Sequence, residues 1–548
     1  MRLNSLLTLC AIVLTLSGCG GGGSTSTDSI STSTDSIYVT ITDDYQVESL
    51  GSESTINANI SVGNIAKDLY LVLSNNATTS GISTITHNAK VTEVSQSKPL
   101  LRTSVSEKPV ILRDPKYVQD FSSQIGTLLS KVAVNQPQSK IMAVTERMED
   151  AVDDTEIFFL DQDGTQTTDA TARKVISVTT FFGTKTLNIW VSNDSFGIGC
   201  PKSKCVTQPM VDALADTFLF SGLDNDIYDW VTNIYGEEWG NDTNNYTGFI
   251  PENDEITILL TDLPNSNEPI YNTPNGGVIG FFWSKDNFVR SSSVNGSNQR
   301  IMFYADSVMF ANGEDTWDID DPWPKEMVST LAHEFQHMIN FYQKRILLDT
   351  DTDTWINEML SESTEDIIAT KIGHNVEGRY PLFNANNTLS LTSWNGLLED
   401  YSKVNVFGAY LLRNYGGAKL LHDIMHNSYE DEQAVVDAVN KSDNGSGKTF
   451  ADLLSEWGVA VMLSDHDNLV DIPVYNIGTL FEDVYGSTMY EMRSIDFFNY
   501  IPQPTVYTTS GTIQAQGNYY YKIGDNVTGD ISITLELNGQ TEATLIAK

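Results

Sequence analysis

Histidine, cysteine and basic side chains are all scarce in this 548-residue chain, which holds 7 His, 4 Cys and 32 Lys and Arg against 72 Asp and Glu. A formal net charge of −40 excludes a nucleic-acid-binding or anionic-membrane surface, since either would need clustered positive charge. Four cysteines are too few for a disulfide-built scaffold. Long apolar runs are missing as well: the one near the start, Leu6 to Leu16, is too short and too early for a stable transmembrane span. The 40% of apolar residues suffices for ordinary cores, and the length suits about three domains.

Two of the few histidines stand four residues apart in Leu331-Ala332-His333-Glu334-Phe335-Gln336-His337. Residues at i and i+4 share a helix face, so both imidazoles can reach one metal ion while Glu334 addresses its bound water. That pattern points to a zinc hydrolase, with Glu334 as the catalytic base and His333 and His337 as ligands. Pro322 and Pro324 make a helix start, and Met327, Leu331, Phe335 and Met338 form an apolar stripe. The helix is expected from about Lys325 to Tyr342. A catalytic zinc takes three protein ligands. Downstream, Trp355-Ile356-Asn357-Glu358-Met359-Leu360-Ser361-Glu362 reads as a second helix running to about Lys371, with Glu358 and Glu362 one turn apart and either able to ligate.

HExxH followed by an N-E-x-x-S-[D/E] helix resembles the thermolysin-like glutamate-zincins. The resemblance implies that Glu358 is the third metal ligand and that Glu362 braces His333. The run His333 to Lys344, with Leu187 to Val191, Ile234 to Gly240 and Asn298 to Tyr304, is similar to the hyicolysin-type bacterial zinc metallopeptidases over about Lys185 to Leu480. This implies a secreted neutral endopeptidase acting on protein or peptide substrates with one zinc ion. Tyr401, just before an apolar helical run, has the placement of the transition-state tyrosine in related zincins. Tyr410, His422 and His426 are alternatives for that role, and the i, i+4 pair His422 and His426 has the spacing of a second metal site.

The N-terminus implies export. Leu16-Ser17-Gly18-Cys19 resembles the bacterial lipobox, making 1–19 a lipoprotein signal peptide and Cys19 the lipidated residue, with 20–36 a flexible Gly, Ser and Thr tether. Cys10 leaves with the signal, so Cys200 and Cys205 remain to form a small disulfide loop. The expectation is an outer-membrane or cell-surface lipoprotein, monomeric and membrane-held through its lipid.

Strand-like segments precede helix-like ones within 185–490, an α+β plan resembling the thermolysin-like mixed sheet plus helical lobe. Residues 37–175 read as a β-rich accessory or propeptide-like region, with an amphipathic stretch near Val118 to Val132, and 500–548 as a small C-terminal β-domain. Gly276 to Phe281 is a candidate edge strand for pairing with an extended peptide. Acidic loops at Glu314 to Asp321 and Asp349 to Asp353 are of the type that takes calcium. The rival to an endopeptidase is a surface binding protein or adhesin on the same fold, and the intact set His333, Glu334, His337 and Glu358 argues against it. No G-x-M-E-N motif of the aminopeptidase type precedes the helix.

Overall fold

The computed structural model describes residues 36–91, 115–128, 130–131, 149–251, 254–263, 278–291, 293–374, 378–466, 469, 472, 475, 480–482, 485 and 488–548. The expected signal peptide, with Cys19, and the expected tether as far as Asp35 lie outside the described residues. Among the described residues, no helix is long and apolar enough to cross a membrane.

Two four-stranded sheets form a sandwich from the two ends of the described chain. One has the order Ile37–Thr40, Thr55–Ser61, Asp530–Glu536, Thr84–His87; the other has Gly517–Val527, Lys67–Asn75, Thr541–Ala547, Gln46–Gly51. Alternation sends Ile56, Ala58 and Ile60 inward from one strand, where they join Leu69, Leu71, Leu73, Ile533, Leu535 and Leu545 in a core of their own. This corrects the expectation of separate regions at 37–175 and 500–548. Lys67–Asn75 pairs antiparallel with Gly517–Val527 on one side and Thr541–Ala547 on the other, so neither end of the chain completes a sheet alone. The later part of 37–175 belongs elsewhere: Thr155–Phe159 and Thr167–Thr180 join the sheet described next.

That sheet has six strands in the order Gly280–Phe282, Ile301–Asp306, Glu255–Thr261, Gly183–Ser192, Thr167–Thr180, Thr155–Phe159. Its middle three strands run parallel and the outer pairings are antiparallel. Every residue of Ile301–Asp306 is buried, the two-faced burial typical of parallel strands. Phe218, from the helix Gln208–Phe218, links sheet to helices by packing on both Phe303 and Phe335.

Helices then dominate, as an α+β chain should show. Pro322–Asn340 carries the HExxH motif, starts with prolines in its first turn and runs on into a π-helical stretch, Phe341–Leu347. Thr354–Ile372 packs beside it and is buried at every position from Glu358 to Ala369, so its polar residues need partners inside the protein. Leu398–Asn414 crosses this second helix at Gly408, where a Cβ would collide with Ser363 Oγ. Glycine permits that close approach. The amphipathic stretch expected near Val118 to Val132 forms two short helices, Lys116–Ser122 and Ile125–Leu128.

Candidate metal centre

His333 and His337 project from one face of Pro322–Asn340, and Glu358 meets them from the second helix. The two Nε2 atoms are 3.2 Å apart, and Glu358 Oε2 lies 3.4 Å from His333 Nε2 and 3.5 Å from His337 Nε2. A tetrahedral ion with bonds of about 2.0–2.1 Å holds its ligands roughly 3.3–3.5 Å apart, so this triangle matches one face of a zinc polyhedron. Glu358 Oε2 is buried and has no hydrogen-bond partner. A buried carboxylate oxygen without a donor is costly, and a cation at the centre of the triangle removes that cost. The donor set therefore fits one zinc ion.

Glu334 is fully buried beside these ligands. Its Oε2 accepts the Phe282 N–H at 3.0 Å, while Oε1 has no partner. One oxygen is thus anchored by the edge strand Gly280–Phe282 and the other is left for chemistry. Burial, outweighing the opposing effect of the two imidazoles, raises the Glu334 pKa above the ordinary carboxylate range.

The brace on His333 is a correction to the sequence reading. His333 Nδ1 lies 2.9 Å from Glu365 Oε1, and Glu365 Oε2 accepts the Ser329 hydroxyl at 2.6 Å. Glu362 instead receives Arg379 in a two-pronged pair, with Nε at 3.0 Å and Nη2 at 2.7 Å. The reason is helical phase. Seven residues make nearly two turns, so Glu365 returns to the face of Glu358 and passes under His333. Glu362 is turned toward Arg379, on the helix Arg379–Asn386. His337 Nδ1 is 3.1 Å from Ser361 Oγ, which also bonds Gln336.

Burial alone would lower the His333 pKa, but the neighbouring Glu358 and Glu365 carboxylates outweigh it and push it up to about 10. Burial would raise Glu358, but the two imidazoles hold it down at about 2.

Other expected residues lie elsewhere. Tyr401, expected to face the developing oxyanion, is fully enclosed, edge-on to Trp394 and 5.2 Å beneath the Arg379 guanidinium. It is not among the residues lining the cleft of about 360 Å³ into which His337 and Glu358 open. Tyr410 bonds Glu456 and Tyr415 in the core. His422 and His426 stack on each other at 4.0 Å, with His422 Nε2 3.0 Å from the Tyr485 hydroxyl. Among the described residues, the groups of three side chains within joint ligating reach both include His333. In the acidic loop before the HExxH helix, Asp321 accepts the backbone N–H groups of Glu314 and Asp318. Cys200 and Cys205 are joined by a disulfide.

Sequence reasoning missed Glu365, Arg379, Ser329 and the Phe282 N–H. The i, i+7 spacing of Glu358 and Glu365 was a readable signal for the first. The others come from separate elements and carried none.

A histidine pair on one helix and a glutamate on the next, set against a mixed sheet, define a metallopeptidase-type centre. The chain belongs to the Peptidase M30 family, whose profile matches residues 166–468, the family to which the hyicolysin-type resemblance pointed. It is 26% identical over 194 residues to the neutral metalloprotease ShpI of Staphylococcus hyicus, a match covering 34% of this chain and 42% of that protein. The chain thus spans less than half the length of that relative. Two solved structures of a two-domain M1 zinc metallopeptidase, bound to L-tryptophan and to L-arginine, align over 80% of this chain and 96% of theirs at 11% identity, each with a TM-score of 0.28.

Proposed function

We propose that this protein is an exported zinc-dependent endopeptidase, held at the bacterial outer membrane or cell surface by lipid on Cys19. The observation carrying the catalytic reading is the His333, His337 and Glu358 triangle with Glu334 Oε1 unpartnered beside it. His333, His337 and Glu358 would hold the zinc ion, which would supply a Lewis acid and lower the pKa of a water at the site toward neutrality. Glu334, oriented by the Phe282 N–H on Oε2, would take the water proton at Oε1 as the water oxygen bonds to the peptide carbonyl carbon, and would give it to the amine nitrogen as the C–N bond breaks. His333 keeps its ring orientation through Glu365, and His337 through Ser361. The edge strand Gly280–Phe282 offers main-chain groups for an extended peptide, which supports cleavage within chains.

The decisive test is Glu334→Gln. The variant binds zinc normally, and its casein hydrolysis falls by about 10²–10⁴-fold. Near-wild-type hydrolysis by a folded, zinc-loaded variant contradicts the peptidase reading. The anchor is tested separately: Cys19→Ser shifts the protein from the detergent phase to the aqueous phase or to unprocessed precursor. One acyl chain binds only marginally, so stable anchoring implies several; unchanged partitioning and N-terminal mass refute lipidation.

A further inference from the structure

The segment Pro115–Leu128 consists of a seven-residue and a four-residue helix, Lys116–Ser122 and Ile125–Leu128, each too short to persist alone in water. What holds it is the surface beneath. Phe121 is fully buried, edge-on to Trp283 at 6.4 Å and to Phe288 at 5.9 Å. Tyr117 packs on Phe281 at 5.8 Å and on Trp283 at 5.0 Å. Val118 and Ile125 are buried with them, while Asp120, Ser123, Gln124 and Thr127 face solvent.

The place of docking matters. Phe281 belongs to Gly280–Phe282, the edge strand whose Phe282 N–H holds Glu334. Val118, Ser122 and Ile125 line the same cleft as His337, Asn357 and Glu358, so one wall of the metal cleft comes from this upstream segment. At about 360 Å³ the space left in this cleft beside the segment lies near the lower end of the roughly 300–1,000 Å³ of ligand pockets. The remaining wall keeps Ser284 Oγ, Asn340 Nδ2 and Asn357 Oδ1 buried without partners. Buried polar groups are normally paired. Three such orphans in one cleft wall mark a surface suited to a polar ligand.

We propose that Pro115–Leu128 is an occluding strap: docked on Phe281, Trp283 and Phe288, it bars extended peptides from the edge strand and the metal ligands, and its displacement opens the site. This rests on reading the cleft as a peptidase site.

The test uses the full, zinc-loaded chain with Phe121→Asp and, in case that variant misfolds, Tyr117→Asp at a residue that is 38% exposed. Calorimetry compares an extended peptide hydroxamate with acetohydroxamate, which is small enough to enter the cleft beside the docked segment. Folded variants bind the peptide hydroxamate about tenfold more tightly, as for a competent form populated about a tenth of the time in wild type. They bind acetohydroxamate as wild type does and hydrolyse casein correspondingly faster. Unchanged peptide-hydroxamate affinity overturns the strap, as does an equal gain for acetohydroxamate, which would place the effect at the metal. Tighter peptide-hydroxamate binding with no hydrolysis by any of the proteins supports the strap and removes the peptidase reading.

Discussion

In the terminal sandwich, the strands Thr55–Ser61, Lys67–Asn75 and Asp530–Glu536 turn Ile56, Ala58, Ile60, Leu69, Leu71, Leu73, Ile533 and Leu535 inward, whereas Thr354–Ile372 sends Glu358, Glu362 and Glu365 into an interior just as dry. The first arrangement gains stability from apolar burial. The second strips water from carboxylates, at several kcal/mol per ion unless each is compensated. Around the HExxH helix, the buried carboxylates of Glu334, Glu358, Glu362 and Glu365 meet the Arg379 guanidinium and the imidazoles of His333 and His337. A region that departs this far from the rules its neighbour obeys is organised for chemistry, and a cation held by His333, His337 and Glu358 would balance its charge.

The sharpest way to break the comparison is Glu362→Ala. It strands the buried Arg379 charge, so it lowers unfolding free energy by about 3–5 kcal/mol in urea titrations while zinc affinity changes little. A variant that keeps its stability but loses zinc would return Glu362 to the metal. The matching change in the sandwich, Leu71→Ala, costs about 2–5 kcal/mol through a cavity and leaves metal content intact. Loss of metal there would show that the two regions are not independent.

Glu365→Ala sharpens the account inside the centre. Removing the acceptor from His333 Nδ1 weakens zinc by about 10–100-fold in competition with a fluorescent chelator. An unchanged constant would make the 2.9 Å contact incidental.

The smallest effect concerns Lys344, on the π-helical stretch after the histidines, whose Nζ donates to the Asn427 carbonyl at 2.8 Å. Burial, partly offset by Glu430, lowers its pKa to about 8. Its folded value lies below the unfolded value of about 10.4, so the unfolded chain binds more protons between those pH values and stability rises with pH across that window. Subtracting the pH profile of Lys344→Met from that of wild type should leave this rise; a flat difference would mean the amine titrates normally.

The most legible part of the molecule was local. The helix around His333 starts three residues earlier than read and passes into its π-helical stretch at Phe341. Its signal lies within one element, where spacing maps directly onto a face. The joining of Lys67–Asn75 to Gly517–Val527 was hidden because pairing partners more than 400 residues apart leave no local mark, and alternation reports that a strand has an inner face without saying what covers it. The choice between Glu362 and Glu365 failed for a related reason. Both share a helix with Glu358, but which one reaches His333 depends on how two helices pack, and Arg379 arrives from a third. Apolar spacing likewise marked Val118 to Val132 as amphipathic without showing that its apolar face seeks Trp283.

Zinc content of purified Glu358→Ala, set beside that of wild type, tests the central claim most directly. Each protein is loaded with excess zinc, desalted and assayed by atomic emission, with circular dichroism to establish folding. The account predicts one zinc per wild-type chain and a folded, largely metal-free variant, because the remaining two imidazoles hold only one edge of the polyhedron. A folded Glu358→Ala protein that retains stoichiometric zinc would contradict it and move the third ligand to another residue.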